Sequence, residues 1–319
     1  MRALFALLIC AATSSAAQDI RFQQPLDCVL GKTCFIEDYV DTDPDERQAQ
    51  DFTCGFNTRD GHKGTDFALL DFSDITKGVS VFAAADGQVL RTRDKMPDDR
   101  LQRGVTSNNA CGNAVIIAHG DGYTSTYCHL KLGSVRVVPG EAIKAGQVLG
   151  LVGLSGQTSH PHLHFQVSKN NMRIDPFRPF QSNSCETAQP EETLWVETPE
   201  YHASILRFAG FSNSVPEYKD MRSAKALLKT SAGDQPLVLY IEAGLTQHGD
   251  VLEFYADGPN GEIFSHSILM KSPRKSERRA FGKRAPAKGW ASGEYTGRVT
   301  LTRKGEIIAN RFAHVTVVN

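Results

Sequence analysis

Much that would place a chain in a specialised class is missing here. The 35 lysines and arginines balance 36 aspartates and glutamates, and a net charge of −1 gives no global reason to expect nucleic acid. No apolar run approaches the roughly 18 residues that a membrane-spanning helix needs. No C-x-x-C pair occurs, which removes the common cysteine zinc site, and no H-E-x-x-H segment supplies a protease glutamate. Gly153-Leu154-Ser155-Gly156 misses the G-x-S-x-G elbow of serine hydrolases. A biotin or lipoate carrier would need a lysine between methionines in a tight hairpin, and there is none. Long helical periodicity, internal repeats and any cysteine beyond residue 185 are absent as well.

What remains is a chain of 319 residues, 40% hydrophobic and 22% charged, long enough for two globular cores. Arg2, the apolar stretch Ala3 to Ala12 and the small residues before Gln18 predict a signal peptide over residues 1–17, and so export. Cys10 is no lipid anchor, because bulky Ile9 precedes it. The other six cysteines, Cys28, Cys34, Cys54, Cys111, Cys128 and Cys185, read as disulfides in an oxidising compartment. The turn Gly120-Asp121-Gly122 brings Cys111 near Cys128, bridging behind the strand on the side away from His129. Cys28 and Cys34 suit a local bridge, which would leave Cys54 with Cys185, but six cysteines allow 15 pairings and the sequence alone does not choose among them.

The fold class reads as all-β. Residues 18–53 form an extended lead-in whose acidic run lacks the glycine and distal glutamate of a calcium loop. Residues 54–182 hold short strands rich in Val, Ile and Ala between glycine turns, with 93–110 as a surface loop. Residues 183–200 read as a linker. Roughly seven strands over residues 201–319 fit an immunoglobulin-like sandwich, with a helical turn near 223–229. Eight basic residues between Lys271 and Lys288 fit either a patch for anionic polymers or lipids or a solvated loop, and the loop is the favoured reading.

The histidines carry the chemistry. His62-Lys63-Gly64-Thr65-Asp66 sets an imidazole and a carboxylate four residues apart. In His160-Pro161-His162-Leu163-His164, strand alternation puts His162 and His164 on one face and Leu163 in the core. Tyr123, Ser125, Tyr127 and His129 share a face of their strand by the same rule. Two nitrogens and one oxygen from separate segments make a tetrahedral zinc site with a position left for water. His202, His248, His266 and His314 stand singly and read as structural.

Four segments in order resemble the lysostaphin-type, LytM-like zinc endopeptidases: Gly61 to Phe67, Gly78 to Val89, Gly112 to Leu130 and Gly146 to Phe165. The resemblance implies a barrel-sandwich hybrid fold and peptidoglycan stem peptides as substrate. It also implies one Zn²⁺ per chain, held by His62, Asp66 and His164, with His162 and His129 catalytic. Zinc brings the pKa of its water to about 7, and with no glutamate base a histidine must handle the proton. His162 is assigned to water activation and His129 to orienting that water or stabilising the oxyanion, roles that these residues alone leave exchangeable. His160 and Gln166 depart from the family pattern, which usually has glycine and glutamate there. The short n-region suggests a Gram-negative periplasm, where the family cuts the D-alanine–diaminopimelate cross-link. The rival readings are a non-catalytic wall binder or amidase activator, and a secreted zinc protease acting on proteins. Nothing in the sequence indicates an oligomeric state.

Overall fold

The structure is a computed structural model that describes residues 20–180, 185 and 189–318. The expected signal peptide and parts of the 183–200 stretch lie outside the described residues. The first part of the chain contains β1 (Cys34–Asp38), β2 (Thr65–Leu69), β3 (Ser80–Phe82), β4 (Gly87–Arg93), β5 (Asn113–Gly120) and β6 (Tyr123–Leu130). These are followed by β7 (Ala142–Ile143), β8 (Val148–Leu151), β9 (His162–Lys169) and β10 (Met172–Ile174). One antiparallel sheet runs β1-β2-β9-β6-β5-β4-β7 with β10 paired to β9, and β3 pairs with β8 beside it. In β9, Leu163, Phe165 and Val167 are fully buried, while His162, His164 and Gln166 take the opposite face. Phe67 stands opposite Leu163 and Tyr127 opposite Phe165, so one hydrophobic layer backs the whole sheet.

Segments read from the sequence as a lead-in and a linker are packed into this core. Phe22, Leu26, Ile36, Tyr39 and Phe52 join it from one end of the chain, and Leu194 and Trp195 from the other. β1 becomes an edge strand on β2. The face rule for β6 needs correction. Ser125 and Tyr127 do lie on the core side, but His129 leaves it, because its φ of 63° is left-handed and breaks the alternation.

The second part contains β11 (Ile205–Ser212), β12 (Thr230–Ala232), β13 (Leu237–Thr246), β14 (Val251–Gly258), β15 (Gly261–Leu269), β16 (Arg274–Lys283), β17 (Gly293–Arg303) and β18 (Glu306–Val318). Sheets β11-β13-β16 and β12-β18-β17-β14-β15 close over one core that includes Phe211, Leu239, Phe254 and Val299. Strands pass between sheets in the Greek-key manner of an immunoglobulin-type sandwich. Tyr295, near the start of β17, donates its hydroxyl hydrogen to the Ala291 carbonyl at 2.9 Å, the corner that pins that fold. The basic stretch is no solvated loop: most of it is β16, paired along its length with β13. β16 is a sheet edge, and charge on an edge blocks pairing with other chains. The helical turn falls at Tyr218–Arg222, earlier than expected.

The three disulfides join Cys28 to Cys34, Cys54 to Cys185 and Cys111 to Cys128, with Cα separations of 5.9, 5.1 and 4.8 Å. One detail differs from expectation. Cys128 stands opposite His164 in the ladder, so its bridge lies on the histidine side of the sheet and not behind it.

Two predictions follow from these observations. Non-reducing peptide mapping should recover those three linked pairs. Replacing Cys54 and Cys185 by serine should cost up to about 4 to 5 kcal/mol, the chain-entropy value for so long a loop; an unchanged denaturation midpoint would contradict the pairing. The second concerns Asp175, which is buried, accepts a hydrogen bond from the Phe177 N–H at 2.9 Å and is pushed up by burial to about 7. The folded chain therefore binds this proton more tightly than the unfolded chain, whose value is about 3.9. That stability is full below pH of about 4 and is lost as pH rises through 7. Asp175→Asn, which cannot ionise, should gain on the parent between pH 4 and 8, by up to about 4 kcal/mol. Parallel pH curves from urea denaturation would refute it.

Candidate metal centre

The ladder between β2 and β9 sets Asp66 opposite His164 and Ala68 opposite His162. The carboxylate and both imidazoles therefore share the face turned away from the hydrophobic layer. His62 comes from the turn just before β2, its backbone N–H donated to the Arg59 carbonyl at 3.0 Å. Gly64 lets the chain pass there. A Cβ at that position would lie 2.5 Å from the Phe165 carbonyl oxygen and 2.9 Å from the His164 ring.

His62 donates from Nδ1 to the Tyr39 carbonyl at 2.6 Å, which leaves Nε2 with a lone pair. That Nε2 lies 3.0 Å from Asp66 Oδ2 and 3.2 Å from His164 Nδ1, and His164 Nδ1 lies 2.8 Å from Asp66 Oδ1. The three groups offer ligand atoms all within 4.8 Å of one another, and Asp66 is fully buried. So many lone pairs at such spacing repel unless a proton or a cation lies between them. Burial opposes charge on His62, but the Asp66 carboxylate and its hydrogen bond outweigh this and raise the imidazole's pKa. Burial likewise opposes charge on Asp66, and His62, His162 and His164 still hold its carboxyl well below the usual range. Two nitrogens and a carboxylate, each fixed by its own strand or turn, could hold a metal ion, and they are of the donor types that catalytic zinc sites use. Arg59 donates from Nη2 to Asp66 Oδ2 at 2.9 Å and also pairs with Asp38, so it orients the carboxylate from outside.

His162 donates from Nδ1 to the carbonyl of His160 at 3.1 Å, with Thr158 Oγ1 equally near. Its Nε2 is buried, makes no hydrogen bond among the described residues and lies 3.7 Å from Asp66 Oδ2. His129 is tied in the same way, Nδ1 to the Ser155 carbonyl at 2.8 Å. Its ring sits 4.7 Å from the ring of His162 and 6.1 Å from that of His164. Gly112 permits this approach: at φ 64° it lies where a Cβ would meet the Ser155 oxygen at 2.2 Å. Burial lowers His162 to about 4. Burial, then the neighbouring His162 and His164, take His129 well below its ordinary value. Both rings are thus neutral near pH 7, each with Nε2 as its acceptor.

All five histidine and aspartate positions singled out in the sequence meet in one place. Gln166 does not join them; its side chain donates to Ser168 Oγ at 3.2 Å along β9. Tyr39, Ser155, Arg59 and Thr158 were not found by sequence reasoning. Tyr39 and Ser155 act through backbone carbonyls, which carry no side-chain signature. A second group, Glu200, His202 and Glu306, gathers nearer the surface. There each imidazole nitrogen faces a different carboxylate, at 3.9 and 3.8 Å, which makes it an ion-pair arrangement.

Several known proteins are similar to part of this chain. The chain is 30% identical over 144 residues to "Peptidoglycan DD-endopeptidase ShyB" of Vibrio cholerae serotype O1, covering 42% of this chain and 29% of that protein. It is 33% identical over 118 residues to "Murein hydrolase activator NlpD" of Escherichia coli, covering 37% and 26%. It therefore spans less than a third of either relative. A solved zinc-containing peptidase from Vibrio cholerae is similar at 26% identity and a TM-score of 0.29, over 45% of this chain and 39% of that one. Residues 60–176, which hold all five positions, match the family model described as Peptidase family M23.

Proposed function

We propose that the chain is an exported zinc metalloendopeptidase that hydrolyses peptide cross-links of bacterial peptidoglycan. The observation that carries this reading is the buried acceptor set of His62 Nε2, Asp66 and His164 Nδ1, flanked by two neutral histidines whose Nδ1 atoms are already committed. The substrate class rests on similarity to a relative named a peptidoglycan DD-endopeptidase. Export rests on three disulfides. In this reading residues 54–182 are the peptidase unit, braced by packed segments on either side, and residues 201–319 the accessory sandwich.

Zinc held by His62, Asp66 and His164 supplies a Lewis acid for the scissile carbonyl and an acidified water. The chain's own residues handle the proton. His162 takes it at Nε2, the nitrogen left free by the His160 carbonyl. Asp66 Oδ2, 3.7 Å away, stabilises the imidazolium that results. Among the described residues no carboxylate lies at ion-pair distance from His129, on which Asp66 acts only as a smaller influence, and its Nε2 accepts a hydrogen bond that aims the attacking water. The nearby anion supports giving the base role to His162 and the orienting role to His129.

The mature protein should contain about one zinc per chain, and a chelator should abolish release of fragments from purified sacculi, followed by mass spectrometry. His62→Ala, Asp66→Ala and His164→Ala should each lose the metal; full zinc occupancy in all three would sink the ligand assignment. Sacculi left intact by the zinc-loaded protein would favour an activator in place of an enzyme.

His162→Ala and His129→Ala should behave differently, keeping zinc while turnover falls by roughly 10²- to 10⁴-fold. A variant of either that binds no zinc would show a ligand where a catalyst is proposed.

A further inference from the structure

His160 departs from the pattern of the resembled family, and in the sequence it had no task. In the structure it is largely buried and sits between the proposed base and the sandwich. Its ring stacks on that of His162, with centroids 4.9 Å apart and planes 29° from parallel. Its carbonyl accepts the His162 Nδ1 hydrogen. Its Nε2 is hydrogen-bonded to the buried carboxylate of Glu37 on β1. The other oxygen of Glu37 accepts from Arg311 Nη1 at 2.8 Å, and Arg311 also reaches Asp38 at 3.4 Å. Phe312, the next residue of β18, stacks on the far side of the arrangement, 5.7 Å from the His160 ring at 29°. Two routes therefore run from one strand of the sandwich to one imidazole of the peptidase site.

We propose that Arg311, Glu37 and His160 are positioning residues for His162, so that the accessory sandwich is a working part of the catalytic site and not an appendage. The chemistry of the chain supports this. A carboxylate this deeply buried would ordinarily be driven toward its neutral form. Here burial is overcome by His160 and Arg311, which hold Glu37 ionised down to about 2. An ionised Glu37 fixes the His160 ring through Nε2, and the stacked ring and carbonyl of His160 fix the plane and tautomer of His162. Arg311 is the guanidinium that completes the carboxylate's shell, and it belongs to β18. The docking surface around it is consistent with a fixed arrangement. Arg298 of β17 donates to the Leu70 carbonyl at 2.9 Å and Asp71 at 3.0 Å, and Phe72 meets both Phe312 and His314 edge-on, at 5.1 and 5.4 Å.

The inference rests on His162 being the base, and the experiment separates the two. In the full-length, zinc-loaded chain, long-range ¹H–¹⁵N spectra of the histidine rings report the His162 tautomer whether or not any substrate is cut. The parent should show a single Nδ1–H tautomer. Arg311→Ala and Glu37→Gln should shift or mix that signal while zinc content stays the same, and Arg311→Lys should restore it in part. An unmoved His162 signal in both variants would overturn the relay. Sacculus digestion is run beside it. There, kcat should fall roughly 10- to 100-fold with KM held, the scale of a misplaced catalytic group. In a His160→Ala background, Arg311→Ala should cost nothing further; an undiminished, additive loss would also overturn the relay. If Arg311→Ala does not fold, Glu37→Gln, which keeps the side-chain shape, carries the test alone. A parent that shows the tautomer but leaves sacculi uncut would instead remove the peptidase reading, and the relay with it as a catalytic device.

Discussion

The register between β2 and β9 is the constraint on which the site depends. With Asp66 opposite His164 and Phe67 opposite Leu163, every second residue of both strands is committed to the core. A slip of one residue would drive Asp66 into the layer of Phe67, Tyr127 and Phe165 and lift Leu163 among the imidazoles. The apolar residues therefore hold the polar ones in place, because full burial of Phe67, Leu163 and Phe165 is worth about 2 to 3 kcal/mol apiece and only one register achieves it. β6 then adds His129 from the other flank of β9, and its left-handed backbone turns the ring out of the core and toward His162.

Placing an ionised carboxylate at zero exposure is costly, and the surroundings of Asp66 show how the cost is offset. His62, His164 and Arg59 each contribute a direct polar contact to it, and His162 stands just beyond. The same arrangement ties the site to the folded state. His62 and Asp66 lie 98 or more residues away from His164 along the chain, so the ligand set does not exist when the chain is unfolded. A metal that binds it therefore adds its binding free energy to folding. The Cys111–Cys128 bridge ties the segment that enters β5 to β6, beside the ladder position of His164.

How much of this was legible in the sequence depended on how local the cause was. Alternation in β9 and the glycine turns around β5 and β6 are short-range, and the strands and the shared face of His162 and His164 could be read directly. The all-β class and the two local disulfides were legible for the same reason, whereas Cys54 and Cys185, 131 residues apart, were paired only as the two cysteines left over. The side occupied by His129 was not, because a single positive φ overrides alternation and histidine gives no sign of it. β16 was missed because none of its residues is fully buried, so it shows no apolar period, and its charges suit a sheet edge. The segments on either side of the first sheet were misread for a third reason. Phe22, Tyr39 and Trp195 are scattered among polar residues, and only the folded sheet shows that they fill one layer. Carbonyl partners such as those of Tyr39 and Ser155 leave no residue-level trace at all.

The sandwich has its own core and no disulfide, so by composition it could stand as a separate module. What it presents to the peptidase side argues otherwise. The contacts include Arg311 on Glu37, Arg298 on Asp71, Arg100 with Glu294 and the Ile307 N–H on the Gly31 carbonyl, with the aromatic group of Phe72, Phe312 and His314. Surface pairs of this kind usually contribute little to stability. Arg311 and Glu37 differ from such a pair, because the carboxylate is almost wholly enclosed and losing its partner would leave a buried charge unpaired. Evolutionary economy would favour an apolar contact if adhesion were all that was needed, since such residues bind without desolvating a carboxylate. A buried carboxylate shared between a guanidinium and an imidazole has one advantage over an apolar contact: it fixes direction. The imidazole whose direction it fixes is the one stacked on His162.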